Sequence, residues 1–341
     1  MKQMWITGHG GPERLEMREA KDPVAKAGEV RVRVEACGIN FADILARRGL
    51  YPDSPRPPMV VGYEISGTVD QTGSGVDEQW LGRDVFALVR FGGYADTVTV
   101  PASHVFAKPA ALDHAHAVAL PVQYLTAWQL LVVMGALTPG DSVLIHNAGG
   151  GVGLAAIDIA RHLGAAIYGT ASPGKHAFLL ERGLHHAIDY TRGDWKAELM
   201  RLTSGAGVEL IIDPLGGAHC AKSYSALRPT GRLGIFGISS AAASQLPGLL
   251  RLIALAAATR CFHPLGLMSQ NRGVFGVNLG HLWDEFPKLQ IWMKSLLDGV
   301  DEGWIRPHVD RTFPFQDAGN AHAWLEDRRN VGKVVLKVTH V

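Results

Sequence analysis

The residues best placed to do chemistry are His146-Asn147-Ala148-Gly149-Gly150-Gly151-Val152-Gly153. Ahead of them lies the turn Pro139-Gly140-Asp141 and a short apolar run, Ser142 to Asn147, centred on Val143-Leu144-Ile145, which reads as a buried parallel strand. Behind them Ala155, Ala156, Ile159, Ala160 and Leu163 recur at helical spacing, and Gly164 stands where a helix would stop. Strand, glycine turn and helix together suit a pyrophosphate. Residues without Cβ let the backbone approach phosphate oxygens, and free N–H groups at a helix N-terminus stabilise negative charge. The bland alternative is a tight strand-to-helix turn without a ligand.

The next strand bears on which dinucleotide would fit. Ala166 to Ala171 reads as the second parallel strand. Units that bind NAD place an Asp or Glu near its end to hold the ribose 2′-hydroxyl. Here Thr170-Ala171-Ser172-Pro173-Gly174-Lys175 carries no carboxylate before Glu181. A 2′-phosphate needs donors and positive charge, so Ser172 and Lys175 favour NADPH over NADH. A solvated lysine at a helix start is the competing reading of Lys175.

The elements that must position such a site are spread over 341 residues, enough for two domains. Hydrophobic residues make up 47% and charged residues 19%, a globular balance. A net charge of +1, with no basic run interleaved with aromatics, gives no reason to expect nucleic acid. Cys37, Cys220 and Cys261 are odd in number and far apart, which argues against a disulfide framework. The N-terminal residues do not read as a signal peptide, and no unbroken apolar run has the length of a membrane span. A soluble, cytoplasmic protein is expected.

Residues 1 to about 120 carry β signals at Met4-Trp5-Ile6, Val30 to Val34, Glu64 to Val69, Asp84 to Val89 and Tyr94 to Val100. One short helical stretch, Phe41 to Arg48, lies among them. Around Ala115 to Val133 the pattern turns helical and then alternates. Ile188 to Tyr190, Leu210 to Asp213, Leu233 to Phe236 and Val274 to Leu279 are the later strands of a doubly wound sheet.

Nearly the whole chain resembles the medium-chain dehydrogenase/reductase superfamily. Within it the chain is most similar to the zinc-free quinone oxidoreductases and to the VAT-1-like proteins. The resemblance rests on GGPERLEMRE at 10–19, ACGINFADILARRGLYP at 36–52, VGYEISGTV at 61–69, GGYADTVTVP at 92–101, HNAGGGVGLAA at 146–156, GTASPGKHA at 169–177, DPLGG at 213–217 and NVGKVVL at 330–336. It implies an α/β chain: a GroES-like, mostly antiparallel β catalytic domain (1–121 and 281–341), plus a Rossmann domain with a doubly wound parallel sheet (122–280). It also implies an active site in the cleft and a homodimer formed through the Rossmann domains.

One departure is informative. Zinc alcohol dehydrogenases of the superfamily have a cysteine at the place of Asn40, and Gly-His-Glu where this chain reads Gly62-Tyr63-Glu64. An amide and a phenol are poor zinc ligands, and a four-cysteine structural lobe is absent. His114 and His116, two apart, would face different ways, and His146, His185 and His186 read as packed or surface histidines. No zinc is expected. Reduction of an electron-poor acceptor, a quinone or an enone, does not need that Lewis acid. By resemblance to quinone oxidoreductases, Asn40 and Tyr51 are the candidate catalytic donors to the acceptor oxygen. A turn-capping amide and a loop aromatic over the cofactor are their competing readings. Asp43, Tyr63 and Tyr124 are the expected substrate-pocket residues, Asp43 either orienting Asn40 or serving as a helix-start acid. Glu64 is taken as structural.

The resemblance also carries cofactor contacts position by position. Gly150, Gly151, Val152 and Gly153 would meet the pyrophosphate, and Lys175 and Tyr190, with Ser172, the 2′-phosphate. Phe236, Gly237, Val277, Asn278 and Leu279 would lie near the nicotinamide. Asn330 and Lys333 would close over the cofactor. Gln245 to Asn271 is almost uninterrupted apolar sequence from Leu249 to Ala256, broken by Arg251. It reads as a cover for the cleft or a dimer contact. The rival is a lipid- or partner-facing patch, since VAT-1-like proteins are associated with vesicle and mitochondrial membranes and with phospholipid transfer.

Overall fold

The computed structural model describes residues 1–242, 250, 253, 257–259 and 261–340. Much of the apolar stretch within 245–271, including Leu249 and Leu252, lies outside the described residues. The chain divides into two compact units: Met1–Leu125 with Gly280–Asp301 and Pro307–Val341, and Thr126–Leu279 with Glu302–Arg306.

In the second unit six parallel strands form one sheet, in the order His186–Asp189, Ala166–Ala171, Ser142–Ile145, Val208–Asp213, Leu227–Ile235 and Gly273–Gly276. The central runs are apolar because such strands are covered on both faces. Val143, Leu144, Ile145, Leu210, Ile211 and Ile212 are all fully buried. Crossovers are helical, and the first, Gly151–His162, follows the glycine turn directly. The last apolar run is shorter than expected: Gly273–Gly276 is strand, while Val277–Leu279 leaves the sheet.

In the first unit the principal sheet runs Val309–Pro314, Lys333–Lys337, Glu29–Ile39, Glu64–Thr72, Asp84–Leu88 and Val105–Ala107, with Thr97–Pro101 also paired to Glu29–Ile39. All pairings but the first are antiparallel. Leu15–Glu19, Lys2–Ile6 and Met59–Val60 make a separate small sheet. The strand expected over Tyr94 to Val100 begins only at Thr97. Tyr94 and Ala95 instead reach the small sheet: Tyr94 exchanges backbone hydrogen bonds with Met4 and Val61, and Ala95 bridges Gln3. The helix expected at Phe41 is Phe41–Arg47.

Two expectations need correction. Residues 122–125 and Gly280, placed by sequence with the Rossmann part, belong to the first unit, and Glu302–Arg306, placed with the GroES-like part, belongs to the second. The Asp158 carboxylate accepts the backbone N–H of Arg306 (3.0 Å) and an N–H of Arg182 (2.7 Å), and the Arg182 guanidinium also donates to the Arg306 carbonyl. A carboxylate with no exposure draws that backbone to itself. Secondly, one helical stretch among the described residues, His114–Val133, does meet the length and apolarity of a membrane span, with mean hydropathy 1.3, and 72% of its apolar window is buried. Its polar residues Gln123 and Gln129 break the apolar run, which is why the sequence shows no continuous one.

Asp158 and Arg182 are 0% and 8% exposed. Removing one member of such a pair strands the other charge, so Asp158→Ala is expected to lower unfolding free energy by about 3–5 kcal/mol in urea titration. A loss under about 1 kcal/mol would mean that Arg182 is hydrated in the folded protein.

Candidate functional site

Parallel strands end on one edge of their sheet, and the expected cofactor residues of the second unit follow those ends. Ser142–Ile145 runs into the glycine turn, Ala166–Ala171 into Ser172 and Lys175, and His186–Asp189 into Tyr190. Leu227–Ile235 leads to Phe236-Gly237, and Gly273–Gly276 to Val277, Asn278 and Leu279. The backbone fastens these ends together: Phe236 N–H donates to Asp213 O, and Val277 N–H to Ile235 O. This is the carboxyl edge where open α/β sheets take ligands.

The glycines are there because nothing larger fits. A Cβ on Gly153 would stand 2.5 Å from the Asn147 and Ala148 carbonyl oxygens, and one on Gly150 would stand 2.6 Å from Asn147 Nδ2. Asn147 has φ 54°, a left-handed conformation that Asn tolerates better than most residues, which accounts for Asn at this position. The first-turn N–H groups of Gly151, Val152 and Gly153 have no partner within their own helix. The Lys175 side chain crosses the turn, its Cδ standing 2.8 Å from where a Gly149 Cβ would be. The aliphatic stem of a lysine thus lies beside a turn that leads into helix N–H groups, residue types that suit a phosphorylated ligand. Ser172 is half-buried and its carbonyl accepts the Lys175 N–H (3.0 Å), while Tyr190 is 41% exposed.

Behind that edge lies a cluster sequence reading missed. Asp213 Oδ2 accepts from His219 Nδ1 (2.8 Å) and Ser223 Oγ (2.8 Å), and its Oδ1 accepts the Leu215 and Gly216 N–H groups. These donors and the nearby histidines hold its carboxyl down to about 2 against the cost of burial. His146 is 1% exposed, lies between Thr170 Oγ1 (3.0 Å) and Ser223 Oγ (3.3 Å), and is kept neutral by burial, its pKa lowered to about 3. The donor atoms of His146, Asp213 and His219 fall within 4.8 Å of one another. His146 is therefore packed, as expected, but it is packed in a polar knot. The DPLGG segment that opens with Asp213 was the available signal.

In the first unit Asn40 sits at the end of Glu29–Ile39 and starts the helix Phe41–Arg47. Its Nδ2 donates to Glu64 Oε1 (2.7 Å) and its Oδ1 accepts from Lys333 Nζ (2.9 Å). Ammonium only donates and carboxylate only accepts, so these partners fix which end of the amide is which. Lys333 Nζ also pairs directly with Glu64 Oε1, and Val122 N–H donates to Glu64 Oε2 (2.8 Å). Both charged side chains have no exposure. Lys333, expected to close over the cofactor, is instead committed to this pair, because a fully buried ammonium requires its carboxylate. Asn330 is likewise turned inward, Nδ2 donating to Gly332 O (2.7 Å).

Asp43 is the helix-start acid that the sequence offered, and it stands outside the lining of the pocket beside Tyr51. It is fully buried: Oδ2 accepts the Asn40 N–H (2.8 Å) and the Tyr94 hydroxyl (3.2 Å), and Oδ1 the Gly62 N–H (3.0 Å). Burial raises its carboxyl from 3.8 to about 7 despite these bonds. Tyr94 Oη in turn meets His322 Nε2 at 3.0 Å. Tyr51 and Tyr63 do come together, edge to face with centroids 6.1 Å apart, and Tyr63 meets Phe91 at 5.3 Å. They line one pocket. Tyr124 is 2% exposed and is not part of that lining.

The donors around Asn40 are already engaged: the Glu64 carboxylate is paired with the Lys333 ammonium. The Cys37 thiol has no exposure, is pushed up strongly by burial and faces Ala95 O (3.9 Å), and the amide oxygen is taken by Lys333.

With this geometry in hand, comparison with known proteins gives the following. The alcohol dehydrogenase GroES-like domain family matches residues 26–110, and the zinc-binding dehydrogenase family matches residues 182–336. The synaptic vesicle membrane protein VAT-1 homolog of Homo sapiens is 37% identical over 334 residues, covering 97% of this chain and 85% of that protein. A 2-haloacrylate reductase of Burkholderia sp is 32% identical, covering 96% of each. The crystal structure of Escherichia coli quinone oxidoreductase complexed with NADPH has a TM-score of 0.87 at 29% identity, covering 99% of this chain and 100% of that one.

Two measurements test the site's electrostatics. Lys333→Met alone is expected to cost about 3–5 kcal/mol of stability by stranding Glu64, and the double variant Lys333→Met/Glu64→Leu to recover most of that loss. Additive losses would show that the two charges are not coupled. For Asp43 the folded protein holds its proton where the unfolded chain has lost it. Its contribution therefore falls as pH rises from about 4 to about 7, by on the order of 4 kcal/mol at most. Stability curves of wild type and Asp43→Asn should diverge over that window, and parallel curves would refute the assignment.

Proposed function

Since the chain belongs to the medium-chain dehydrogenase/reductase superfamily, in its VAT-1-like group, and is an oxidoreductase of that superfamily, we propose that it is an NADPH-dependent reductase of quinones or α,β-unsaturated carbonyls that works without a metal. The observation carrying this reading is the Lys175 stem laid beside Gly149, ahead of the helix Gly151–His162, which supports Lys175 as the partner of a phosphate group. A solved relative bears NADPH in its name, and another relative is named for reducing 2-haloacrylate.

Gly150, Gly151, Val152 and Gly153 would hold the pyrophosphate, Ser172, Lys175 and Tyr190 the 2′-phosphate. Phe236, Gly237, Val277, Asn278 and Leu279 would flank the nicotinamide. When bound, NADPH supplies a hydride to the electron-poor carbon; with one proton from solvent, the products are NADP and the saturated carbonyl, or the hydroquinone. Asn40 would meet the oxygen on which charge develops. One hydrogen of its Nδ2 goes to Glu64, and no described residue takes the other. Lys333 on the amide oxygen and Glu64 on the nitrogen hold that donor still, so no reorganisation is needed as charge builds. Tyr51 would act as the second donor. The outermost strand Gly273–Gly276, preceded by a helix with Leu265 and Met268 exposed, would offer the surface through which two copies pair.

A second reading has one observation in its favour: Leu250 and Ile253 are 56% and 54% exposed, a surface suited to lipid or to a partner.

The test is NADPH and NADH oxidation across quinones, enones and enals. NADPH should be preferred, Lys175→Ala should raise its KM about 10- to 100-fold with little change for NADH, and Asn40→Ala should lower kcat about 100-fold. Inactivity with every acceptor, beside NADPH binding and flotation with liposomes that Ile253→Glu abolishes, would replace the reductase reading with the lipid one.

A further inference from the structure

The pocket beside Tyr51 is unevenly charged, and its walls say what shape would enter. Tyr51, Tyr63, Phe91 and Trp283 contribute aromatic surface, tilted or edge-on to one another where rings meet. Such walls admit a flat conjugated group. Tyr63 is 8% exposed, and its hydroxyl makes no well-formed hydrogen bond to a described residue, with the Tyr51 phenol as its polar neighbour. Burial drives its pKa upward, so it remains a protonated donor at any working pH. The Tyr51 and Tyr63 phenols thus bring polar groups to an otherwise aromatic wall.

Charge completes the pattern. The one acid in the lining, Asp53, is held by His281 Nε2 at 2.7 Å. Arg90, also in the lining, is exposed and forms no ion pair or hydrogen bond with any described residue. The free charge facing the pocket is thus a guanidinium, whose planar fork suits a carboxylate better than any neutral group. A neutral quinone leaves that fork unused.

We propose that the preferred acceptor is an α,β-unsaturated carbonyl compound bearing a carboxylate. Its conjugated part lies among the four aromatic side chains, and its carboxylate is taken by Arg90. This rests on the reductase reading above and names the substrate class of that site. The chemistry is unchanged: hydride to the β-carbon, a proton to the α-carbon, the carboxylate a spectator that sets affinity.

A matched pair of acceptors tests it: 4-oxopent-2-enoate, an anion, and its uncharged methyl ester. In wild type the acid should have kcat/KM about 10- to 100-fold above the ester's, the effect residing in KM and weakening with salt. Arg90→Gln should bring the ratio near one, and Arg90→Lys should restore part of it. Calorimetric titration of 4-oxopentanoate, the saturated acid, into the protein should show binding that Arg90→Gln weakens by a similar factor. Equal use of acid and ester, or a preference that survives Arg90→Gln, overturns the proposal. If neither compound nor any quinone is reduced, the reductase reading fails by itself. The titration then decides: binding that depends on Arg90 keeps the anion pocket, and its absence removes it.

Discussion

A lysine and a glutamate without solvent exposure can coexist in a folded protein only as partners, and the first unit is tied together at that point. Lys333 arrives on the strand Lys333–Lys337, Glu64 opens the strand Glu64–Thr72, and Asn40 directly follows the strand Glu29–Ile39 that lies between them. Moving any of the three strands by one residue would turn one of these groups to the other face of the sheet. That would leave a buried charge alone, at a cost exceeding what most single packing contacts return. Register, the approach of Val122 N–H and the orientation of the amide therefore follow from one requirement. Gly38 belongs to it as well: a Cβ there would stand 2.6 Å from Glu64 Oε1 and 2.7 Å from Lys333 Cε.

The second unit rests on a different constraint. Its parallel strands bring six chain segments to one edge. The polar knot of Asp213, Ser223, His219 and His146 underpins that edge from within. Asp213 ends a central strand and binds the turn that follows it, so the carboxylate both stops the strand and shapes the loop. Trp195 packs against His146 and His219, at ring separations of 4.6 and 5.3 Å, and seals the knot from the apolar side. The glycine turn thus rests on a hydrogen-bonded floor, the kind of support that a ligand recognised through backbone geometry would need.

How much of this can be read without the structure depends on sequence distance. The glycine turn is legible because the strand, the glycines and the helix that use it are consecutive, and every cue acts over a few residues. The same holds for Phe41–Arg47 and for the alternating strands. The partnership of Glu64 with Lys333 spans 269 residues and leaves no periodic mark. Glu64 accordingly reads as structural and Lys333 as a cofactor contact, each half right about burial or place and silent about the other. Asp43 shows the same limit: its position three residues into a helix start is visible, while its bonds to Gly62 and Tyr94 are not. Glu302–Arg306 is misplaced because the buried carboxylate that claims it lies 148 residues upstream.

The pairing of Lys333 with Glu64 also bears on what kind of reaction the site could support. A divalent metal offers an acceptor oxygen net positive charge. Here the cation is cancelled by a carboxylate bonded to the same amide, so Asn40 presents a polarised but uncharged donor. A neutral donor stabilises a developing oxyanion by a hydrogen bond's worth of free energy, and it cannot acidify an alcohol as a Lewis acid does. On the reductase reading proposed above, such a donor would suit an acceptor that is already electron-poor. The same neutrality leaves no strong field at Asn40 to compete for an anionic group elsewhere on the ligand. On the proposal of an acidic acceptor, the Arg90 guanidinium would then decide which end of it turns toward the amide.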